Sequence, residues 1–275
     1  GTFGVTPSFV IDFGGRNTFE AHEFAPALDI IRSRVLTDWT LNAKNEFEKT
    51  GKESGEHQNR LKTWWQLKRP RQAMLTALSK LNRYVVCARV TKRPVFEFIS
   101  TAVRPDSSLT VFPFQDDYSH GILQSGLHFE WFKARCSTLK GDYRYTSDTV
   151  FDTFPWPQEP TKKQIRAVAD AAVALRQLRR VTMAKLGWSL RDLYRSLEEP
   201  GANPLRDAHA ALDTAVRAAY GMGKNDDILT HLLALNHACA EKEKAGQKIT
   251  PPGLPLPPEE HAAFITTDCI EAPQL

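Results

Sequence analysis

Long apolar runs are absent from this 275-residue chain, and no stretch approaches the ~18 apolar residues that a membrane span needs. The N-terminal residues show no basic segment followed by an apolar one, so we expect no secretory signal and a cytoplasmic location. The chain begins in mid-pattern without Met, and we interpret it as a fragment of a longer polypeptide. The four cysteines lie far apart, which disfavours a zinc site and favours reduced thiols: Cys87, Cys136, Cys239 and Cys269.

Motifs that carry catalysis are also missing. The sequence has no GxGxxG or GxxxxGK[ST] phosphate loop, no GxSxG nucleophile turn and no HExxH zinc motif. His128 and Glu130 are two residues apart, so on a helix they would point to different faces and would not form a metal site. We therefore predict no catalytic residue, metal or cofactor within this chain. An enzyme with an unrecognised site stays open as an alternative.

Acidic residues are scarce between Arg60 and Arg104, where Glu97 is the single carboxylate among eleven basic residues. The net charge of the whole chain is only +4, so this block is locally concentrated. Such a block predicts an electrostatic footprint for a polyanion. The alternatives are a solvated helix face and an interaction scaffold that docks an acidic partner.

The hydrophobic patterns predict an α+β fold. Residues 83–91, 94–100 and 109–115 are rich in Val, Phe and Ile and are predicted to form one small mixed sheet flanked by helices. We predict a further short strand over 7–15 and an exposed, mobile connection over 42–60. The Pro-rich stretch 155–160 marks a boundary, after which the pattern is that of an all-α helical bundle. The predicted domains are 1–155, 156–246 and a Pro-rich tail, 247–275, extended or draped over the surface.

Charges and tyrosines alternate in the segment STLKGDYRYTSDTVFDTFPWP, residues 137–157. In a strand, Lys140, Asp142 and Arg144 would share one face, and Tyr143 and Tyr145 would pack on the other. Lysine or arginine can donate to guanine O6 and N7, and a carboxylate can accept from cytosine N4. The alternation is therefore compatible with base reading in a major groove, although three solvated charges in surface ion pairs remain the alternative.

The ordered set of motifs resembles the C-terminal part of MmeI-like type IIL restriction–modification enzymes. The matching pieces are FVIDFGG, WWQLKRPR, RYVVCARVTKRPVFEF, YSHGILQSGLHFEW, STLKGDYRYTSDTVFDTFPWP, LDTAVRAAYG and DDILTHLLALN. These enzymes join a nuclease, an adenine-N6 DNA methyltransferase, a target recognition domain and a helical C-terminal domain. The resemblance implies a target recognition domain up to about residue 155 and a helical domain after it.

The resemblance also implies roles for individual residues. Lys140 and Asp142 match paired positions that the family associates with guanine, and Arg144 with the loop Asp106–Ser108 matches positions that act on another base. The basic block would hold phosphates, which positions the protein without specifying sequence: Lys68, Arg69, Arg71, Arg89, Lys92 and Arg93. Trp64, Trp65, Trp131 and Trp156 are expected in the core. S-adenosylmethionine and Mg²⁺ would belong to the rest of the parent enzyme. The implied partners are double-stranded DNA and the methyltransferase domain of the same polypeptide.

Overall fold

The computed structural model describes residues 9–139 and 141–272. The described residues up to Thr76 form one compact unit, and those from Ala77 onward form a second. None of the helices among these residues is long and apolar enough to cross a membrane.

The first unit is helical. Its small core consists of Phe13, Ala21, Leu28 and Trp65. Asn17 begins the first helix with a capping box, because its side chain accepts from the Glu20 amide while Glu20 accepts from the Asn17 amide. The helices are α1 (Thr18–His22), α2 (Ala25–Ile31), a π-helical turn (Arg32–Leu36), α3 (Thr37–Thr50), α4 (Glu56–Leu61) and α5 (Gln72–Leu78), which reaches into the second unit.

Two local predictions fail in this unit. Residues 9–13 form no strand, although the predicted glycine turn is present at Gly14 and Gly15. The stretch predicted as a mobile connection is mostly helical, because α3 and α4 pack on each other. Gln58 ties them together by donating from Nε2 to the Ala43 carbonyl at 2.6 Å. Gly51 ends α3 in the left-handed conformation, with φ of 63°, where glycine has no steric penalty.

The second unit contains two antiparallel sheets, where the sequence predicted one mixed sheet. The first has the order β3–β1–β4 and joins the three segments that the sequence placed together. The second has the order β2–β6–β5. The strands are β1 (Arg83–Ala88), β2 (Val90–Thr91), β3 (Glu97–Ser100), β4 (Leu109–Phe112), β5 (Ser137–Leu139) and β6 (Asp142–Arg144).

Helices complete this unit, and the α+β class is confirmed. The longest, α8, packs against both α6 and α10, and Gly121 permits the close approach of α6. A Cβ atom added at Gly121 would lie 2.7 Å from Val168 Cγ1. The helices are α6 (Asp117–Gln124), α7 (Gly126–Arg135), a π-helical turn (Ser147–Phe151), α8 (Lys162–Leu186), α9 (Leu190–Arg195), a 3₁₀ turn (Ser196–Glu198), α10 (Pro204–Ala219), α11 (Ile228–Lys244) and a 3₁₀ helix (Pro258–Phe264).

One hydrophobic core runs across the predicted boundary at residue 155. Phe154 and Trp156 are both buried in it, and the Tyr220 hydroxyl of the helical region donates to the Pro155 carbonyl at 2.8 Å. The division into a recognition domain and a helical domain stays a prediction. In the structure, both parts share their interior.

The Pro-rich C-terminal segment is attached to the core by buried charges. Arg83 of β1 donates to Asp117 at 2.9 Å and to the Asp268 carbonyl at 2.7 Å, and Arg176 of α8 donates to Asp268 at 2.9 Å. Phe264 is buried, and the main chain of Ile270 pairs with that of Ile99. The segment is thus docked rather than loosely draped.

Candidate nucleic-acid interface

Strand β6 presents different chemistry on its two faces. Tyr143 and Tyr145 pack inward against Phe132, with ring centroids 5.7 and 5.3 Å apart. Asp142 and Arg144 take the opposite face, because successive side chains of a strand alternate. Arg144 is exposed and Asp142 is half-buried. The alternation predicted from the sequence is present from Asp142 to Tyr145.

The outward face of β6 is flanked on both sides. The register places Val90 of β2 and Ser137 of β5 opposite Arg144, and both side chains are exposed. Across residues 9–139 and 141–272, neither Asp142 nor Arg144 makes a side-chain hydrogen bond or ion pair. A carboxylate and a guanidinium are therefore free to meet a ligand from a three-stranded platform.

The predicted strand over residues 140–144 begins only at Asp142. Strand β5 ends at Leu139 and pairs with β6, so the chain reverses between them, and Gly141 adopts a φ of 86°. The alternation of side chains within β6 therefore begins at Asp142. Lys140 lies outside the described residues, and its pairing with Asp142 stays a prediction.

A buried histidine supports β6 from behind. The Tyr145 hydroxyl lies 3.0 Å from His128 Nε2, and His128 Nδ1 lies 2.7 Å from the Leu123 carbonyl oxygen. Burial lowers the pKa of His128 to about 4, so the ring is neutral at physiological pH. No local pattern indicates this contact, because the two residues are far apart in the chain and lie on different elements.

The main chain of Arg89 connects β6 to the loop before β4. Its amide donates to the Ser108 carbonyl at 2.7 Å, and its carbonyl accepts from the Tyr145 amide at 2.8 Å. Asp106 fixes the loop by accepting from both the amide and the hydroxyl of Ser108 at 2.6 Å. These bonds lower the pKa of the Asp106 carboxyl. The Ser108 loop and the Arg144 strand are thus adjacent. The resemblance assigns both segments to the same base.

The predicted phosphate contacts divide between the two units. Lys68, Arg69 and Arg71 are exposed in the first unit. Lys68 forms an ion pair with Glu56, and its hydrogen bond lowers the pKa of that carboxyl. An exposed pair of this kind is weak and exchanges readily for another anion.

The other three predicted phosphate contacts lie in the second unit and flank β2. Lys92 is exposed, and Arg89 is half-buried with its guanidinium 3.4 Å from the Leu109 carbonyl. The Arg93 guanidinium carbon lies 5.9 Å from the Phe129 ring centroid and 6.0 Å from that of Tyr194.

Buried titratable groups elsewhere are structural. Within the described ranges, no group of three or more His, Cys, Asp or Glu side chains is arranged to hold a metal ion. His120 is fully buried, with Nε2 3.1 Å from the Phe96 carbonyl, and burial lowers its pKa. Trp65, Trp131 and Trp156 are buried and Trp64 is half-buried, as expected for core residues.

One segment of the chain matches a known domain family. Residues 81–158 match the family model of the MmeI target recognition domain. DNA methyltransferase A of Bacillus subtilis (strain 168) is 35% identical over 105 residues, which are 38% of this chain and 11% of that protein. The chain therefore spans about a tenth of this curated relative.

A solved structure shares the fold. The type IIL restriction–modification enzyme MmeI, in complex with DNA, superposes with a TM-score of 0.60 at 20% identity, over 84% of this chain and 28% of that one. The matched segment 81–158 contains both sheets, the Asp106–Ser108 loop and the outward face of β6. The chain thus contains an MmeI-like target recognition domain.

Proposed function

We propose that this chain is the sequence-reading module of a larger DNA adenine-N6 methyltransferase, and that it reads base edges in the major groove of duplex DNA. The observation that carries the proposal is the outward face of β6. It lies inside the matched recognition segment and offers two polar heads, Asp142 and Arg144, that have no side-chain hydrogen bond or ion pair among the described residues. The Tyr145 ring next to this strand stacks on Phe132.

The chemistry of this face suits base pairs better than phosphates. Arg144 can donate two parallel hydrogen bonds to guanine O6 and N7, and Asp142 can accept from a cytosine amino group. A carboxylate facing phosphates would only repel them. The Ser108 hydroxyl and Asp106, fixed beside the same strand, supply a further donor and acceptor. Lys140 would complete the set.

The basic residues supply affinity without specificity. We assign Lys68, Arg69, Arg71, Arg89, Lys92 and Arg93 to the DNA backbone, where each contact displaces condensed counterions. Methyl transfer from S-adenosylmethionine, any Mg²⁺-dependent cleavage and the contact with the methyltransferase domain belong to the remainder of the parent polypeptide. These assignments and the cytoplasmic location stay predictions.

The test is selection of duplexes from a random library by the 275-residue chain, followed by the same selection with Arg144→Ala. The native chain should enrich a defined sequence, and Arg144→Ala should lose preference at one position at a cost of about 1–3 kcal/mol. Arg69→Ala is the control, which should weaken binding to all duplexes equally. A chain that binds DNA without enriching any sequence would instead be an anion-docking scaffold, and the proposal would be wrong.

A further inference from the structure

A cluster of cations surrounds Arg93 on elements outside the recognition sheets. Its guanidinium lies near the rings of Phe129, on α7, and Tyr194, on α9. Since Arg93 follows β2 directly, this contact places α9 beside the sheet that carries Asp142 and Arg144. The helical region thus reaches the edge of the reading platform.

Helix α9 adds two arginines to this cluster. Arg191 lies beside Tyr194 by the i, i+3 spacing and beside Arg195 by the i, i+4 spacing, so the two arginines are one helical turn apart. Both are exposed, and neither forms an ion pair among the residues that the structure describes. The one acidic residue of α9, Asp192, already accepts from the amide and hydroxyl of Ser189 at 3.0 and 2.6 Å.

Helix α7 contributes a third cation. Lys133 Nζ lies 5.0 Å from the centroid of the Phe129 ring, which Arg93 also approaches. Its partner is Glu130 at 2.7 Å, on a side chain 37% exposed, so this pair is open to competition by another anion.

We propose that Arg93, Lys133, Arg191 and Arg195 form a second binding surface for DNA phosphates, which extends the contact from the recognition sheets onto the helical region. This inference rests on the proposed function, since duplex DNA is the polyanion in question. The charge of the cluster complements a phosphate backbone, and the cluster continues the basic residues of the Lys92–Arg93 loop.

The support beneath the cluster favours this use. A guanidinium seated against aromatic rings keeps its N–H edges available for phosphate oxygens. Tyr194 is itself held, because its hydroxyl lies 2.9 Å from His209 Nε2 and also contacts Arg179. Arg93 and Lys133 therefore rest on packed aromatic rings, which reduces the entropy that these two side chains lose when they bind.

The experiment compares the full chain with the double variant Arg191→Gln/Arg195→Gln in salt titrations. The probes are a duplex that contains the enriched sequence and a scrambled duplex. Affinity for both should fall by the same factor, and the slope of log K against log salt should decrease by about 1.8, at about 0.9 per phosphate contact. Lys224→Gln/Lys248→Gln removes the same charge from exposed loop positions and is the matched control.

A salt slope for the α9 variant equal to that of the control would overturn the proposal. So would an equally large loss of binding to poly-glutamate, because the surface would then hold any polyanion. If the native chain enriches no sequence, the proposed function fails. The α9 surface is then tested by the salt dependence of binding to the scrambled duplex. A native chain that binds no duplex at all would overturn both the proposed function and the α9 surface.

Discussion

The Tyr145 hydroxyl donates to His128 Nε2 over 3.0 Å, directly behind the strand that carries Asp142 and Arg144. The direction follows from the other ring nitrogen. The Leu123 carbonyl can only accept, so His128 Nδ1 holds the proton and Nε2 is the acceptor. A one-residue slip of β6 would move Tyr145 out of this pocket and turn Asp142 and Arg144 inward. The bond therefore fixes which side chains face outward.

Tyr145→Phe should lower the free energy of unfolding by about 1–3 kcal/mol, because it leaves a buried acceptor on His128 unpaired while keeping the ring packing. Urea unfolding of the native chain and the variant would measure it. Tyr143→Phe is the matched control: its ring also packs on Phe132, but it is half-exposed and its hydroxyl makes no hydrogen bond within the described residues. Equal losses in both variants would contradict the proposed role of the bond.

Stability should decrease as the pH falls below about 6.5, the ordinary pKa of histidine. Burial lowers the pKa of His128 to about 4 and that of His209 to about 3, so the unfolded chain binds protons that the folded chain does not. Each such histidine costs up to about 1.4 kcal/mol per pH unit between its unfolded and folded pKa. Burial raises the pKa of Asp116 and Asp213, which offsets part of this loss at the acidic end.

The contribution of one histidine can be separated by His209→Gln. Urea titrations from about pH 7 to about pH 5 would give the free energy of unfolding of this variant at each pH. It should depend less steeply on pH than that of the native chain, because unfolding of the variant takes up about one proton fewer. Identical slopes for the native chain and His209→Gln would show that His209 takes up its proton in the folded state.

Asp268→Asn should destabilise the chain by about 3–5 kcal/mol, because it leaves two buried arginines facing one carboxylate fewer. Burial would raise the pKa of Asp268, but the hydrogen bond and charge of Arg176 outweigh it and hold that pKa well below its usual range. Glu259→Gln, at an exposed position in the same C-terminal segment, should change stability by less than about 0.5 kcal/mol. Thermal or urea unfolding distinguishes the two, and a loose tail would make both substitutions neutral.

Gly121→Ala should destabilise the chain by about 1–3 kcal/mol, because the new methyl group would force α6 away from Val168 on α8. Gly15→Ala offers a control, since nothing lies within 4 Å of the added carbon and its φ is not positive. The readout is again the urea midpoint. A neutral Gly121→Ala would mean that α8 can shift without loss of packing.

Local signals in the sequence were reliable where the physics is local. Ser189 and Asp192 have the spacing of a capping box and form one before α9, and Asn203 followed by Pro204 begins α10. Tyr143 of β6 and Tyr145 directly after it both face inward, because side chains alternate in any extended segment. The sequence did not predict helices α3 and α4, because apolar residues recur only weakly in this polar stretch. The pair is stabilised by the turn at Gly51 and by contacts between the two helices.

The candidate site depends on pairings that no local pattern encodes. Strand β2 meets β6 across a long stretch of chain, and the main chain of Arg89 bridges Ser108 and Tyr145 by backbone groups that every residue carries. Side-chain identity therefore gave no indication of either contact. The sequence pattern did not indicate the chain reversal at Gly141, because charged and other residues alternate in the same way before and after it.

The unbroken core across residue 155 has a mechanical consequence. Tyr145 behind β6, Trp156 beside the predicted boundary and Leu175 of α8 all belong to one close-packed interior, which resists deformation. Because the side chains behind β6 belong to this interior, a change in the curvature of the strand would disturb their packing. Any adjustment needed for a fit would fall on the duplex, whose bending energy depends on its sequence even where no side chain reaches it.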